Sequence, residues 1–305
     1  MKHVAVLMGG WSAEREVSLV SGGACADALE GLGYRVTRID MQRDLSAFIA
    51  ALTPKPDAVF NALHGRGGED GTVQAVLELM RIPYTHSGVV ASAVAMDKPM
   101  AKAVFAAAGL PLAESMVIER ADLVKGDPMK RPFVVKPLNE GSSVGVRIVR
   151  CGDQWSDEGD DGRYGARVMV ERYVPGREVT VAVMGDRALG ALEIRPAPGH
   201  FYDYTAKYAP GASVHLMPAP IHEEAYSAAL DIGRRAHQAL GCRGVSRSDL
   251  RYDDTHGEPG RMVLLEVNTQ PGMTPTSLVP EIARHAGLSF AELVRWMVEN
   301  AACDS

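Results

Sequence analysis

The segment LLEVNTQPGMTPTSLVP (residues 264–280) begins as an apolar strand and ends in a cluster of glycine and proline. Glu266 and Asn268 lie two residues apart, so on a pleated strand they project from the same face. A solvated strand end is the ordinary interpretation, because Glu and Asn are mostly exposed. The other interpretation is a set of oxygen ligands for a hard cation.

A second strand pattern, VSRSDLRYD (residues 245–253), favours the cation site. Arg247 and Asp249 are also two residues apart and share one strand face. If the two strands are neighbours, Asp249, Glu266 and Asn268 could hold Mg²⁺ ions that are bridged by substrate phosphates. Arg247 beside them would suit a developing oxyanion or phosphoryl charge.

The segment VVKPLNEGSSVGV (residues 134–146) has features of a phosphate-binding loop. Lys136 lies on a strand, and the small residues of the loop 140–143 allow backbone N–H groups to approach an anion. The segment is neither a P-loop nor a G-x-G-x-x-G fingerprint. A hairpin with a solvated lysine is the alternative.

The segment VERYVPGREVTV (residues 170–181) places a Pro-Gly turn between two strands. The strand end at residues 171–174 could offer backbone amides to an adenine edge, and Glu178 could accept hydrogen bonds from ribose hydroxyls. An ordinary hairpin explains the same pattern.

The first hundred residues alternate strand and helix signals. Strands are predicted at residues 3–8, 34–40 and 57–63, with helical spacing of apolar residues between the first two. This alternation indicates βαβ units and an open parallel sheet, whose ligands lie beyond the carboxyl ends of its strands. The turns GGWSAERE (residues 9–16) and HGRGGEDG (residues 64–71) fall at these ends. From about residue 96 the pattern indicates a mixed, mostly antiparallel α+β region.

Composition excludes several classes of protein. The 305 residues are 46% hydrophobic and 23% charged, and the net charge is −6 without a basic block, so a nucleic-acid surface is not expected. The four cysteines show no C-x-x-C spacing, which fits a reduced, cytoplasmic protein. No run approaches the roughly 20 apolar residues of a membrane span, and the N-terminal apolar stretch is too short for a signal peptide.

Together with two further motifs these segments resemble the ATP-grasp superfamily and, within it, the D-alanine–D-alanine ligase family. The resemblance runs in the family's order from VLMGGWSAEREVSL (residues 6–19) through LHGRGGEDG, MDKPMAK and VVKPLNEGSSVGV to FYDYTAKY (residues 201–208), RSDL and LLEVNTQPGMTPTSLVP. It implies an N-terminal Rossmann-like parallel sheet at 1–96, a central ATP-grasp subdomain at 97–182 and a C-terminal one at 183–305.

The resemblance also implies roles for individual residues. The nucleotide site comprises Lys98, Lys136, Glu140, Ser143, Glu171, Arg172, Val174 and Glu178. Asp249, Glu266 and Asn268 match the magnesium ligands. Glu14 matches the carboxylate that holds the ammonium of the first D-alanine, in a hydrogen-bonded link with Ser142 and Tyr208, and His64 lies near that subsite. Arg247 and the Gly272 N–H match an oxyanion-stabilising pair, and Ser277 and Leu278 match the subsite for the second carboxylate. Lys207 belongs to a candidate lid at 200–213 and would reach a phosphate.

The implied reaction joins two D-alanine molecules through a D-alanyl phosphate for peptidoglycan precursor synthesis. It implies ATP, two Mg²⁺ ions for which Mn²⁺ can substitute, and a homodimer. Another ATP-grasp ligase, including one that forms D-alanyl-D-lactate, is the nearest alternative, and a catalytically silent nucleotide-binding module is the other.

Three departures from the family pattern are evident. The Asp/Gly-rich segment 151–165 is expected to be a surface loop with little bearing on catalysis. Arg172 stands where a lysine is common. Trp11 replaces a smaller residue and is expected to narrow the entrance to the first subsite.

Overall fold

The computed structural model describes residues 1–141, 145–155, 164–196 and 213–304. Its strands are β1 His3–Gly9, β2 Arg35–Met41, β3 Ala58–Asn61, β4 Ser115–Glu119, β5 Phe133–Pro137, β6 Arg147–Val149, β7 Arg167–Arg172, β8 Arg177–Met184, β9 Arg187–Pro196, β10 Ser213–Leu216, β11 Val245–Asp253 and β12 Arg261–Asn268. Its helices are α1 Arg15–Gly31, α2 Leu45–Ala51, α3 Thr72–Leu79, α4 Val89–Met96, α5 Lys98–Ala107, α6 Glu223–Ala239, α7 Leu278–His285 and α8 Phe290–Glu299, with a 3₁₀ turn at Arg120–Asp122. None of the described helices is both long and apolar enough to span a bilayer.

The N-terminal part is the predicted parallel sheet. Its order is β2-β1-β3, and the central strand β1 is buried along its whole length. Val4 pairs with Val36 on one side and with Ala58 on the other, both in parallel register. Gly9 and Gly10 end β1 with φ of +80° and +81°, a conformation that favours glycine. This turn brings the chain to Glu14 at the start of α1.

The rest of the chain forms two antiparallel sheets, as the α+β prediction requires. The smaller has the order β4-β7-β5-β6, and the larger has the order β10-β9-β8-β11-β12. In the described ranges every strand pair within these two sheets is antiparallel. The division at 182 and 183 stays a prediction; β8 crosses that boundary and belongs to the larger sheet.

The hydrophobic core packs the N-terminal sheet against the C-terminal helices. Val6 and Phe60 of the N-terminal sheet belong to one buried cluster with Ile282 of α7 and Leu293 of α8. On the larger sheet, α6 packs against β8, β11 and β12 in a second cluster that also takes in Phe105 of α5. This packing brings the carboxyl ends of β1 and β3 close to the ends of β11 and β12, where the polar motifs lie.

Two adjacent glycines in α1 provide a matched test of this packing. A Cβ at Gly22 would lie 2.5 Å from Cβ of Met8, whereas a Cβ at Gly23 would meet nothing within 4 Å. We expect Gly22→Ala to lower the free energy of unfolding by about 1–3 kcal/mol through overpacking. Gly23→Ala should raise it by up to about 1 kcal/mol, because alanine favours the helix. Urea unfolding measures both, and equal stability of the two variants would contradict the packing of α1 on β1.

Candidate active site

Two adjoining clefts lie where the three sheets meet. The first, here called the acidic cleft, is lined by Glu14, His64, Glu69, Ala95, Met96, Lys98, Glu140, Gly141, Arg247, Glu266, Val267, Asn268, Thr269 and Gly272. The second, here called the hinge cleft, is lined by Lys98, Val134, Lys136, Glu140, Val146, Glu171, Arg172, Tyr173, Val174, Glu178, Asp249, Arg251, Leu265 and Glu266. Lys98, Glu140 and Glu266 line both, so a ligand in one cleft can reach a ligand in the other.

The pairing of β11 with β12 places the proposed metal ligands together. Asp249 is directly opposite Glu266, and Arg247 is opposite Asn268. Directly opposed side chains on one sheet face have Cβ atoms about 5 Å apart. The register shifts immediately after Asp249, and an irregularity of this kind redirects side chains. The predicted adjacency of the two strands is therefore confirmed.

Arg247, Asp249 and Asn268 already have partners in the protein. Arg247 donates to both carboxylate oxygens of Asp249, with Nε–Oδ1 and Nη2–Oδ2 distances of 2.8 Å. Thr180 Oγ1 also donates to Asp249 Oδ1 at 2.7 Å. Asn268 Oδ1 accepts the Gln270 N–H at 2.8 Å, which orients the amide.

The donor set fits magnesium. Two carboxylates and a carboxamide are hard oxygen donors, and such oxygens retain lone pairs beyond the hydrogen bonds that they accept. Among the described residues no cluster of three or more His, Cys, Asp or Glu side chains could hold a metal by itself. This is the arrangement expected for an ion that protein carboxylates and substrate phosphates hold jointly.

In the hinge cleft the carboxylate of Glu171 is held by two lysines. Lys102 Nζ donates to Oε1 at 2.5 Å, and Lys136 Nζ donates to Oε2. Burial alone would raise the pKa of Glu171, but the charges of Lys136 and Lys102 outweigh it and lower the pKa. The carboxylate is therefore ionised and already occupied, so a ligand in this cleft would meet the main chain of residues 171–174 and not this carboxylate.

The other hinge residues lie around the same cleft. Arg172 lines it, and its guanidinium forms an exposed ion pair with Glu114 at 2.7 Å. The Val174 carbonyl accepts a hydrogen bond from Arg251 Nε at 3.1 Å, and Glu178 is 3.7 Å from Arg251 Nη1. The predicted hinge residues and Glu178 are thus brought together on one wall.

In the acidic cleft two carboxylates converge on Gly141. A Cβ at this glycine would lie 3.4 Å from Glu69 Oε1 and 3.6 Å from Glu14 Oε2. Burial, followed by the charge of Glu14, raises the pKa of Glu69 well above its ordinary value. A neighbouring ammonium group would be attracted to this pair, so the cleft can bind the amino group of a small substrate.

His64 is fixed between the two N-terminal turns. Its Nε2 lies 3.2 Å from Ser21 Oγ, and its carbonyl accepts a 2.6 Å hydrogen bond from Ser12 Oγ. Burial lowers the pKa of His64, so the ring is neutral near pH 7. Ser12 Oγ also accepts the Glu14 N–H at 3.1 Å, so His64 and Glu14 are positioned by the same hydroxyl.

Lys98 and Glu140 connect the two clefts. Asp97 caps α5 by accepting the Met100 N–H at 3.0 Å, and Lys98 Nζ donates to the Glu140 carbonyl. The Glu140 carboxylate lies 3.5 Å from Arg66 Nη2. These contacts link the N-terminal turn at 64–71 to the loop after β5.

The residues predicted for the second substrate carboxylate lie at the start of α7. Ser277 is the N-cap residue of this helix, and its Oγ accepts the Thr274 N–H at 2.9 Å. The Leu278 side chain is buried in the core, so only its main chain can serve a ligand. Gly272 lines the acidic cleft, and a Cβ there would lie 2.9 Å from Ser277 Oγ.

Four predicted site residues, Ser142, Ser143, Lys207 and Tyr208, lie outside the described residues, as does most of the candidate lid. The expectation for Trp11 is wrong. Its ring packs where a Cβ of Gly67 would lie and lines a separate groove beside Phe48, and it is not among the residues around Glu14.

Sequence reasoning missed two residues. Glu69 lies in the same turn as His64, but it was not predicted as a site residue. Lys102 was read only as part of a helix, and its buried partner Glu171 is 69 residues away. The available signal for Lys102 was its spacing of four residues from Lys98, which places the two lysines on the same face of one helix.

Comparison with known proteins decides the family. A model described as the D-ala D-ala ligase C-terminus matches residues 104–299, and one described as the D-ala D-ala ligase N-terminus matches residues 42–87. The chain belongs to the D-alanine–D-alanine ligase family.

Individual D-alanine–D-alanine ligases match over nearly the full chain. The one from Methylobacterium radiotolerans is 59% identical over 304 residues, covering 99% of this chain and 98% of the relative. The one from Paramagnetospirillum magneticum is 61% identical over 310 residues, covering 99% of both.

Solved structures of the D-alanine–D-alanine ligase from Bacillus anthracis share the fold. One aligns with a TM-score of 0.82 and 29% identity, and another, complexed with ATP, aligns with a TM-score of 0.81 and 27% identity. Each covers 98% of this chain and 97% of the solved chain.

Proposed function

We propose that the protein joins two D-alanine molecules to D-alanyl-D-alanine with conversion of ATP to ADP and phosphate. The observation that carries this proposal is the junction of the two clefts at Lys98, Glu140 and Glu266. One cleft presents lysines for a nucleotide, and the other presents carboxylates for an amino group. The whole-chain identity to D-alanine–D-alanine ligases supports the same reaction.

The proposed reaction has two steps. The carboxylate of the first D-alanine attacks the γ-phosphorus of ATP, the bond to the β-phosphate oxygen breaks, and ADP leaves. Lys136 and Lys98 stabilise the charge of the phosphates, and Glu14 holds the ammonium of the amino acid. Glu171, Arg172, Val174 and Glu178 form the adenosine side of the site.

In the second step the amine of the second D-alanine attacks the acyl carbon. The tetrahedral intermediate collapses, phosphate leaves with the electrons of the C–O bond, and the proton lost by the amine ends on the departing phosphate. Arg247 and the Gly272 N–H stabilise the oxyanion, a contribution worth about 3 kcal/mol for one such donor. Ser277 and the main chain of Leu278 receive the second carboxylate, and His64 supports the first subsite.

Asp249, Glu266 and Asn268 would hold magnesium, for which manganese can substitute, and two ions are proposed. When bound, the metal neutralises phosphate charge during transfer. The residues around it exclude water from the acyl phosphate, which hydrolyses readily. We assign Ser142 and Tyr208 to a link with Glu14, Ser143 to the phosphates, and Lys207 to a lid over them.

Three broader features also belong to the proposal. The chain divides into an N-terminal part at 1–96 and two ATP-grasp subdomains at 97–182 and 183–305. It acts in the cytoplasm on peptidoglycan precursors, and it forms a homodimer.

Product analysis tests the proposed reaction. The protein is incubated with ATP, Mg²⁺ and either D-alanine alone or D-alanine with D-lactate, across pH. We expect equal amounts of ADP, phosphate and D-alanyl-D-alanine, and L-alanine serves as the control substrate. Dominant D-alanyl-D-lactate would replace the proposal with the depsipeptide ligase, and an absence of phosphate release would indicate a silent nucleotide-binding module.

A further inference from the structure

Three charged side chains form a buried cluster behind the hinge cleft. Their exposed fractions are 9% for Lys102, 2% for Glu171 and 12% for Lys136. They come from three elements, since Lys102 lies on α5, Lys136 on β5 and Glu171 on β7. Buried charges are costly unless they are paired, so this cluster needs an explanation.

The two lysines approach Glu171 from different sides. Lys136 and Glu171 lie on paired strands and line the hinge cleft, whereas Lys102 reaches Oε1 from the helix and is not among the lining residues. The Lys102 side chain is 9% exposed and binds Glu171 from the helix side, so we do not expect it to contact a ligand in this cleft. Its effect on a ligand has to pass through Glu171.

The charges of the cluster do not balance. Two ammonium groups face one carboxylate, which leaves one positive charge. Burial lowers the pKa of Lys102, whereas the pKa of Lys136 is raised, because the attraction of Glu171 outweighs the burial that opposes it. Glu266 and Glu178 also attract Lys136 and raise its pKa, although Glu178 has Arg251 as a partner at 3.7 Å and Asp249 is bound by Arg247.

We propose that Lys102 is a positioning residue for a nucleoside polyphosphate: it holds and neutralises Glu171 from behind, and so leaves the charge of Lys136 for the phosphates. Without Lys102, the carboxylate would have Lys136 as its remaining lysine partner, and the two charges would cancel. The proposal rests on the proposed use of ATP. It assigns a role to a residue that does not touch the nucleotide.

Binding of ADP and of adenosine separates this role from a merely structural one. Both affinities are measured by calorimetry in EDTA, so that no metal contributes, for the wild type, Lys102→Met, Lys102→Arg and the double variant Lys102→Met with Glu171→Gln. The ratio of the two affinities reports the contribution of the phosphates. Circular dichroism checks folding.

We expect Lys102→Met to weaken ADP binding at least about tenfold and adenosine binding less than about twofold, the scale of one charge-assisted contact. Lys102→Arg should keep most of the ADP preference, because the positive charge remains. The double variant should regain the wild-type preference within about threefold, because Lys136 then faces a neutral amide.

Equal losses of ADP and adenosine in Lys102→Met would overturn the proposal in favour of a structural role. If Lys102→Met does not fold, the double variant tests the proposal in its place. A preference of the double variant for ADP over adenosine that is far below that of the wild type overturns the proposal. A wild-type protein that binds neither ligand in EDTA, and does not bind ADP with Mg²⁺ either, would overturn the proposed function and this inference with it. ADP binding that is detectable only with Mg²⁺ would overturn the inference alone. Normal ADP binding in a folded Lys102→Met protein would overturn the inference alone.

Discussion

Glu266→Gln is expected to lower the rate of ATP-dependent ligation by more than about a hundredfold, since even residues behind metal ligands change activity 10–100-fold. Glu266 lines both clefts and lies opposite Asp249 on the neighbouring strand. The amide has nearly the same shape but no charge, so the metal would lose one of its two carboxylates. Steady-state kinetics measures the rate, and titration with Mn²⁺ and ADP measures metal binding.

Glu14→Gln is the matched control for this prediction. The same chemical change is made at the far end of the acidic cleft, next to Gly65 and Gly141. It should mainly raise the KM for D-alanine and leave Mn²⁺ binding unchanged. Equal, mild effects of the two substitutions would mean that the site is misplaced.

Arg247→Met is expected to lower kcat by about a hundredfold to a thousandfold, the effect of removing one oxyanion donor. The guanidinium lines the acidic cleft and binds both oxygens of Asp249. Its removal takes away a donor for the oxyanion and also leaves a largely buried carboxylate with fewer partners. Because the loss of the oxyanion donor acts at the reacting carbon, kcat should fall by a larger factor than the KM for ATP rises.

Ser248→Ala is the control on the same strand. Among the described residues the buried Oγ of Ser248 has no hydrogen-bond partner, and the side chain lies against Gly233 of α6. Because adjacent residues of a strand face opposite sides of the sheet, this change should leave kcat within about twofold. A kcat for Arg247→Met that matches the control would contradict the oxyanion role.

The sequence predicted the strand faces of the site and the adjacency of the two strands, but not the register between them. Alternation along β11 and β12 placed Arg247 with Asp249 and Glu266 with Asn268. The register that puts Asp249 opposite Glu266 depends on the irregularity after Asp249, and no local pattern specifies it. The parallel N-terminal sheet was predictable because its strands alternate with helix signals.

Contacts between distant residues could not be predicted in the same way. In the sequence Lys102 looks like a solvated helix residue, because lysine is almost never buried without a partner. Its partner, Glu171, lies on β7 and is distant in the sequence. Glu171 was predicted to belong to the adenine hinge, which stays a prediction, and no local pattern indicated that two lysines bind its carboxylate. Trp11 was misplaced because its position depends on Gly67, whose lack of a Cβ leaves room for the ring.

The most direct measurement is a crystal structure of the protein with an ATP analogue, Mg²⁺ and D-alanine. The account predicts metal density within about 2.0–2.1 Å of oxygens of Asp249, Glu266 and Asn268, with the terminal phosphate bridging to the acidic cleft. Side chains that point away from one another, with the nucleotide bound and no metal density among them, would contradict it.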